Sequence, residues 1–162
     1  MISVMRHPFS LVDLCIILAL AIVAVVGYKV SPLLLAKADL TIEPIAGCDL
    51  NKQACAADLP AGARLDLAIT PRPLPVVKPL RVSVRISGMV ADKVEIDFAG
   101  LSMNMGYNRK NLVADGQGGF SGAAMLPVCI SGRMVWQATL IIDSGRQRIA
   151  VPYLFEAPLD GN

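Results

Sequence analysis

Between Leu14 and Gly27 the chain runs LCIILALAIVAVVG, with no charge and no strong helix breaker. Extended back to Leu11 and forward to Val30, this stretch approaches the ~20 residues that cross a bilayer as a helix. Asp13 weakens the first turn, but near a helix start a carboxylate can sit at the interface and face the positive end of the dipole. Arg6 precedes the run and Lys29 comes after it, so the positive-inside bias is slight. The short leading segment, with the bulk of the chain on the other side, places the N-terminus inside. The expected organisation is a cytoplasmic N-terminus over 1–10, a single transmembrane anchor over 11–30, a linker over 31–38 and an exported domain over 39–162. Ser31-Pro32 is expected to end the helix. The rival is a cleaved signal peptide, for which Ala36-Lys37-Ala38 offers small residues. That site lies well past the apolar core, which favours an uncleaved anchor in a bacterial-type inner membrane, with the domain in the periplasm. Cys15, inside the run, reads as a small membrane-facing residue.

The chain beyond the anchor is long enough for one core of immunoglobulin-like size. From Asp39 onward there are twelve Lys or Arg and twelve Asp or Glu, so the exported part is neutral and offers no basic face to nucleic acid. The single histidine, His7, precedes the anchor. An exported domain without histidine cannot build a blue-copper site, and catalytic zinc usually needs one too. Acid–base catalysis would fall to carboxylates, tyrosine or lysine, and none forms a recognisable pair, so the chain is not expected to be an enzyme.

The exported part alternates with period two. Arg64–Ile69, Leu80–Ile86, Lys93–Phe98, Met134–Ile142 and Arg146–Phe155 each put apolar residues on one face. Adding Asp39–Ile45, Met105–Val113 and Gly119–Leu126 predicts seven to eight strands. Turn residues separate them, among them Ser87-Gly88, Asp115 to Gly119 and Asp143-Ser144-Gly145. The expectation is an all-β, immunoglobulin-like β-sandwich of seven to eight strands behind a single N-terminal transmembrane helix. A curved sheet or a small barrel is the alternative. Pro71–Pro79, with four prolines, is expected as an extended connection or an edge. Glu95 and Asp97 share a strand face with Lys93 and read as a solvated face in preference to a carboxylate pair for glycoside chemistry.

Cys48 and Cys55 bracket a short polar loop, and in an oxidising compartment they are expected to form a disulfide. A reactive dithiol is the weaker reading, because the spacing is not C-x-x-C. Cys129 is then left over. It is a buried apolar residue, a bond to another chain, or a soft metal ligand.

Met103-Asn104-Met105-Gly106 places two thioethers on the same side of an extended chain. Thioethers are soft ligands suited to Cu(I), and they bind without losing a proton. Met125 and Met134 flank Cys129 in sequence. A site of Met103, Met105 and Cys129 is therefore a candidate for Cu(I). The plainer reading makes Leu101, Met103, Met105 and Tyr107 the core-facing side of one strand, with Ser102, Asn104 and Gly106 opposite.

The anchor, the small exported β domain and Met103-Asn104-Met105-Gly106 before the Gly116–Gly119 turn resemble the FixH/YtkA-like group of membrane-anchored proteins. That resemblance implies copper handling and assembly of a cytochrome oxidase. It carries only Met103 and Met105 by motif; Cys129 is added from sulfur chemistry. Two expectations result. One is a membrane-anchored periplasmic accessory protein holding Cu(I) for respiratory oxidase assembly, with the oxidase or its assembly factors as partners. The other is a non-catalytic structural or accessory subunit of an inner-membrane complex.

Overall fold

The computed structural model describes residues 11–34, 38–103, 106–127 and 134–157, with side chains in the first of these stretches given for 11–27. The chain divides into two compact units, Met1–Lys37 and Ala38–Asn162.

In the first unit, helix α1 spans Leu11–Leu34. It runs past Pro32, where the sequence predicts a stop. A proline in the last turn forfeits a single backbone hydrogen bond, so the helix ends just beyond it. The large apolar side chains from Leu11 to Val26 are exposed all round, with no preferred face. Over the described residues alone, no helix is long and apolar enough to cross a membrane.

The second unit is a β-sandwich. Among the described residues it has ten strands: β1 Leu40–Thr41, β2 Cys55–Asp58, β3 Arg64–Thr70, β4 Pro79–Ser87, β5 Lys93–Gly100, β6 Arg109–Asn111, β7 Val113–Ala114, β8 Gly119–Met125, β9 Met134–Ser144 and β10 Gln147–Ala157. One sheet has the order β1-β10-β9-β5-β6 and the other β2-β3-β4-β8-β7. All pairings within the sheets are antiparallel except β1 on β10, which is parallel.

Strand alternation accounts for this architecture. In β4 every second residue from Leu80 to Ile86 is buried and its neighbours are exposed, so one face must meet another apolar sheet. The facing layer comes from β5, β9 and β10, with Phe98, Trp136, Leu140, Val151 and Tyr153 among the buried side chains. Phe98 and Phe155 meet edge to face, with ring centroids 6.5 Å apart and planes at 88°, the geometry that aromatic quadrupoles favour.

Among the described residues ten strands replace the seven to eight expected, because one predicted strand is split and β2 is added, while another is shortened. The predicted Asp39–Ile45 strand is paired only at Leu40 and Thr41, because the chain then crosses from one sheet to the other. The Ile42 N–H donates to the Ala150 carbonyl on β10, and the Ile45 N–H to the Ala56 carbonyl on β2. The predicted Met105–Val113 strand is likewise two short pieces, β6 and β7, in different sheets. β2 comes after the disulfide loop and is too short and alanine-rich to show a period.

The Pro71–Pro79 segment is the extended connection its prolines imply. It touches β-structure through one bridge, Val76 to Leu126. Asp115 to Gly119 is the turn between β7 and β8. The Asp115 carboxylate accepts the Gln117 and Gly119 N–H groups, both at 2.8 Å, and these bonds hold its pKa below the usual carboxylate range.

Candidate functional site: the loop end of the sandwich

The strand directions divide the connections between two ends. At one, the turn end, lie the β4–β5, β7–β8 and β9–β10 turns. At the other, the loop end, lie the longer connections from β3 to β4, from β5 to β6 and from β8 to β9, together with the end of β10. Three hydrogen bonds knit the loop end. The Val77 N–H donates to the Leu126 carbonyl (2.8 Å), Asn108 Nδ2 to the Met125 carbonyl (2.9 Å), and the Leu101 N–H to the Val135 carbonyl (3.1 Å).

This end exposes several large apolar side chains. Leu101, Met103 and Tyr107 are 56%, 42% and 82% exposed, and Val77 and Met125 are exposed beside them. The reading of Leu101, Met103 and Tyr107 as one core-facing strand face is therefore corrected. Residues 101–103 bend away from β5 after Gly100. Gly100 allows this because a Cβ there would lie 2.9 Å from the Met103 carbonyl oxygen and 2.6 Å from the Met134 methyl. Val77 adopts a left-handed backbone (φ +57°), which a β-branched side chain rarely takes. Arg109 lies over the Tyr107 ring at 5.6 Å.

Of the proposed sulfur ligands, Met103 is at this end and exposed. Met105 and Cys129 lie outside the described residues. The chain leaves β8 and re-enters β9 at the loop end, the end at which Met103 lies. Met134 is buried. Among the described residues, no three His, Cys, Asp or Glu side chains group as a metal site.

The disulfide between Cys48 and Cys55 is present, with Cα atoms 5.6 Å apart. The loop it closes holds a residue that no sequence pattern singles out. Asn51 Nδ2 donates to the Glu156 carbonyl at the end of β10 (2.7 Å), and its Oδ1 accepts the Leu74 N–H (2.9 Å). Its own N–H donates to the Asp49 carboxylate, which, with Lys52, lowers the Asp49 pKa. Asn51 thus clips the disulfide loop, the proline-rich connection and β10 together. The nearest sequence signal is the Asp-Leu-Asn order of a side-chain-stabilised turn.

The outer face of the β1-β10-β9-β5-β6 sheet carries charges in matched pairs. Lys93 meets Glu95 at 2.9 Å, Arg109 meets Asp97 at 3.4 Å, and Arg148 meets Asp143 at 2.6 Å. Glu95 and Asp97 are thus each turned to their own cation. The Arg148 hydrogen bonds hold the Asp143 pKa below the ordinary value and raise that of Arg148. Inside the sandwich, the buried Tyr153 hydroxyl has no hydrogen-bond partner among the described residues. Burial, and after it the Asp66 charge, pushes its pKa up.

No family model matches the chain, and no curated protein matches it. Among solved structures it is similar to the crystal structure of an engineered protein, at 20% identity and a TM-score of 0.45 over 62% of this chain. The match takes in 21% of that structure's own length.

Proposed function

We propose that this chain is a membrane-anchored, exported, non-catalytic accessory protein whose β domain engages a partner of the same membrane through its loop end. The observation that carries this reading is the cluster of exposed apolar side chains there, Val77, Leu101, Met103, Tyr107 and Met125. Several large apolar side chains exposed at one end of a small domain point to an interaction site. The sheet face beside it carries three ion pairs. The exposed apolar run from Leu11 to Val26 on helix α1 is what supports the anchor. The sandwich itself we take to be immunoglobulin-like. The orders β3-β4-β8-β7 and β6-β5-β9-β10 correspond to the two sheets of that fold, with β1 added beside the last strand.

Mild detergent extraction of the full chain tests the reading. The chain is expected to co-purify with an inner-membrane partner, and Met103→Asp combined with Tyr107→Asp is expected to lose the partner without lowering the melting temperature of the domain. Recovery of the wild-type chain as a lone monomer across several detergents would sink it.

A second reading, Cu(I) held by Met103, Met105 and Cys129, keeps the resemblance to the FixH/YtkA-like group and oxidase assembly. It is favoured by the exposure of Met103 and by the shared end from which the two sulfur-bearing segments spring. Titration with Cu(I) against a competing chelator checks it. Affinity is expected to fall at least tenfold in Met105→Ala, Cys129→Ser, and unchanged binding ends the idea.

A further inference from the structure

The partner contact proposed above has a second component in the backbone of β10. Arg148 and Ala150 turn their carbonyls away from β9 and accept the Asp39 and Ile42 N–H groups. By the two-residue period of a strand, Pro152, Leu154 and Glu156 turn their backbone groups the same way. β1 covers only Ile149 and Ala150. Beyond it, Pro152 has no N–H to offer, and the Glu156 carbonyl is taken by Asn51. By the register of β10 on β9, the Pro152 carbonyl, the Leu154 N–H and carbonyl and the Glu156 N–H face outward, and none of them bonds a turn or loop among the described residues. The Leu154 side chain is exposed. Beside it is a hollow of about 530 Å³ whose wall includes Asp49, Asn51, Lys52, Pro73, Val135 and Leu154.

We infer that this window takes a short extended segment of the partner, which adds to the sheet at Leu154 as β1 adds at Ala150. Pairing through the main chain supplies the directional contact, and the hollow takes an aliphatic side chain from the added segment. The open groups define the occupant. Outward N–H and carbonyl groups on a sheet edge are complemented by another extended backbone, and the apolar part of the wall, Pro73, Val135 and Leu154, matches an aliphatic side chain. The window is short by construction. Pro152 bars a longer strand on one side and the Asn51 clip on the other, as expected of an edge protected against indiscriminate pairing. This inference rests on the accessory reading and specifies how that contact is made.

Pro152 also supplies the control. It occupies the same outward register two residues earlier, so β10 accepts proline there, and Leu154→Pro removes the N–H at a position where the fold tolerates the ring. Leu154→Ser keeps the N–H and trims the side chain. Pro152→Val restores an N–H and lengthens the window. The probe is the capped pentapeptide Thr-Val-Thr-Val-Thr, added at millimolar concentration to the full chain in detergent, with amide hydrogen exchange read at Leu154 and Glu156. Exchange at Leu154 is expected to slow severalfold in the wild type and in Leu154→Ser. It is expected to slow further in Pro152→Val, while Leu154→Pro shows no protection at Glu156. Unchanged exchange at Leu154 in both the wild type and Pro152→Val overturns the inference, as does equal peptide protection in Leu154→Pro. Co-purification separates the two ideas. A partner retained by Leu154→Pro but lost on Met103→Asp, Tyr107→Asp overturns strand addition alone, whereas a wild-type chain without any partner overturns the accessory reading beneath it.

Discussion

The two ends of the sandwich are built by different means. At the turn end, short polar side chains tie the backbone down. Asp115 holds its own turn, Asp92 accepts the Gly145 N–H at 2.7 Å, the Ser144 hydroxyl donates to the Val90 carbonyl at 2.6 Å, and Asp39 accepts the Arg148 N–H at 2.8 Å. At the loop end the connections are longer, their exposed side chains are apolar, and two asparagines, Asn51 and Asn108, make the side-chain bonds to backbone that hold them. At the turn end Asp115 caps its own turn, and Asp92, Ser144 and Asp39 tie one connection to another across the chain. The loop end is held by its asparagine clips and leaves large apolar side chains exposed. On the proposed function, that division separates scaffold from working surface, the usual arrangement when loops carry recognition on a rigid frame.

The comparison breaks most visibly at Gly118. Its φ is +79°, and a Cβ there would lie 2.6 Å from the Ile86 carbonyl oxygen, a contact with strand backbone that cannot yield cheaply. Gly118→Ala is expected to cost about 2–3 kcal/mol in urea unfolding. A loss within experimental error would show that the turn end is not the rigid one.

At the loop end the largest expected loss is from Asn51→Ala, about 1–2 kcal/mol, because the Leu74 N–H and the Glu156 carbonyl both lose a partner. Faster amide exchange at Leu74, with no change around Gly118, is the accompanying signature. Spread of that change to the turn end would mean that the ends are coupled and not independently built.

The smallest effect depends on pH. The Asp143 pKa is depressed by Arg148, so its contribution is complete above the unfolded value near 3.8 and fades as the pH falls through the lower folded value. Asp143→Asn is expected to lower stability by about 1 kcal/mol near neutrality. Its urea midpoint should approach that of the wild type once the pH is well below 3.8. Curves that stay parallel at low pH would show that the pair contributes nothing through charge.

Legibility in the sequence divides along the same line. β3, β4, β5, β9 and β10 were readable because each is long enough to show apolar residues at period two. The disulfide was readable from compartment and spacing. Leu101, Met103 and Tyr107 were not, since alternation cannot tell a strand face from a loop that carries apolar residues at its rim. Asn51 was hidden for a different reason: its partner Glu156 is 105 residues away in the chain, and no local pattern announces a bond made only after two sheets have closed. The one visible hint of the β10 window was a proline in the middle of a strand, which signals an edge.

The parallel seating of β1 on β10 has a mechanical consequence. Tension arriving along the chain at Ala38, against a load borne by the loop end, would pull β1 lengthwise along its neighbour. The Asp39–Arg148 and Ile42–Ala150 hydrogen bonds would then be strained together in shear instead of parting one at a time. The first two residues of the sheet would act as a strain relief, so that a pull at Ala38 is borne before it can disturb the loop end.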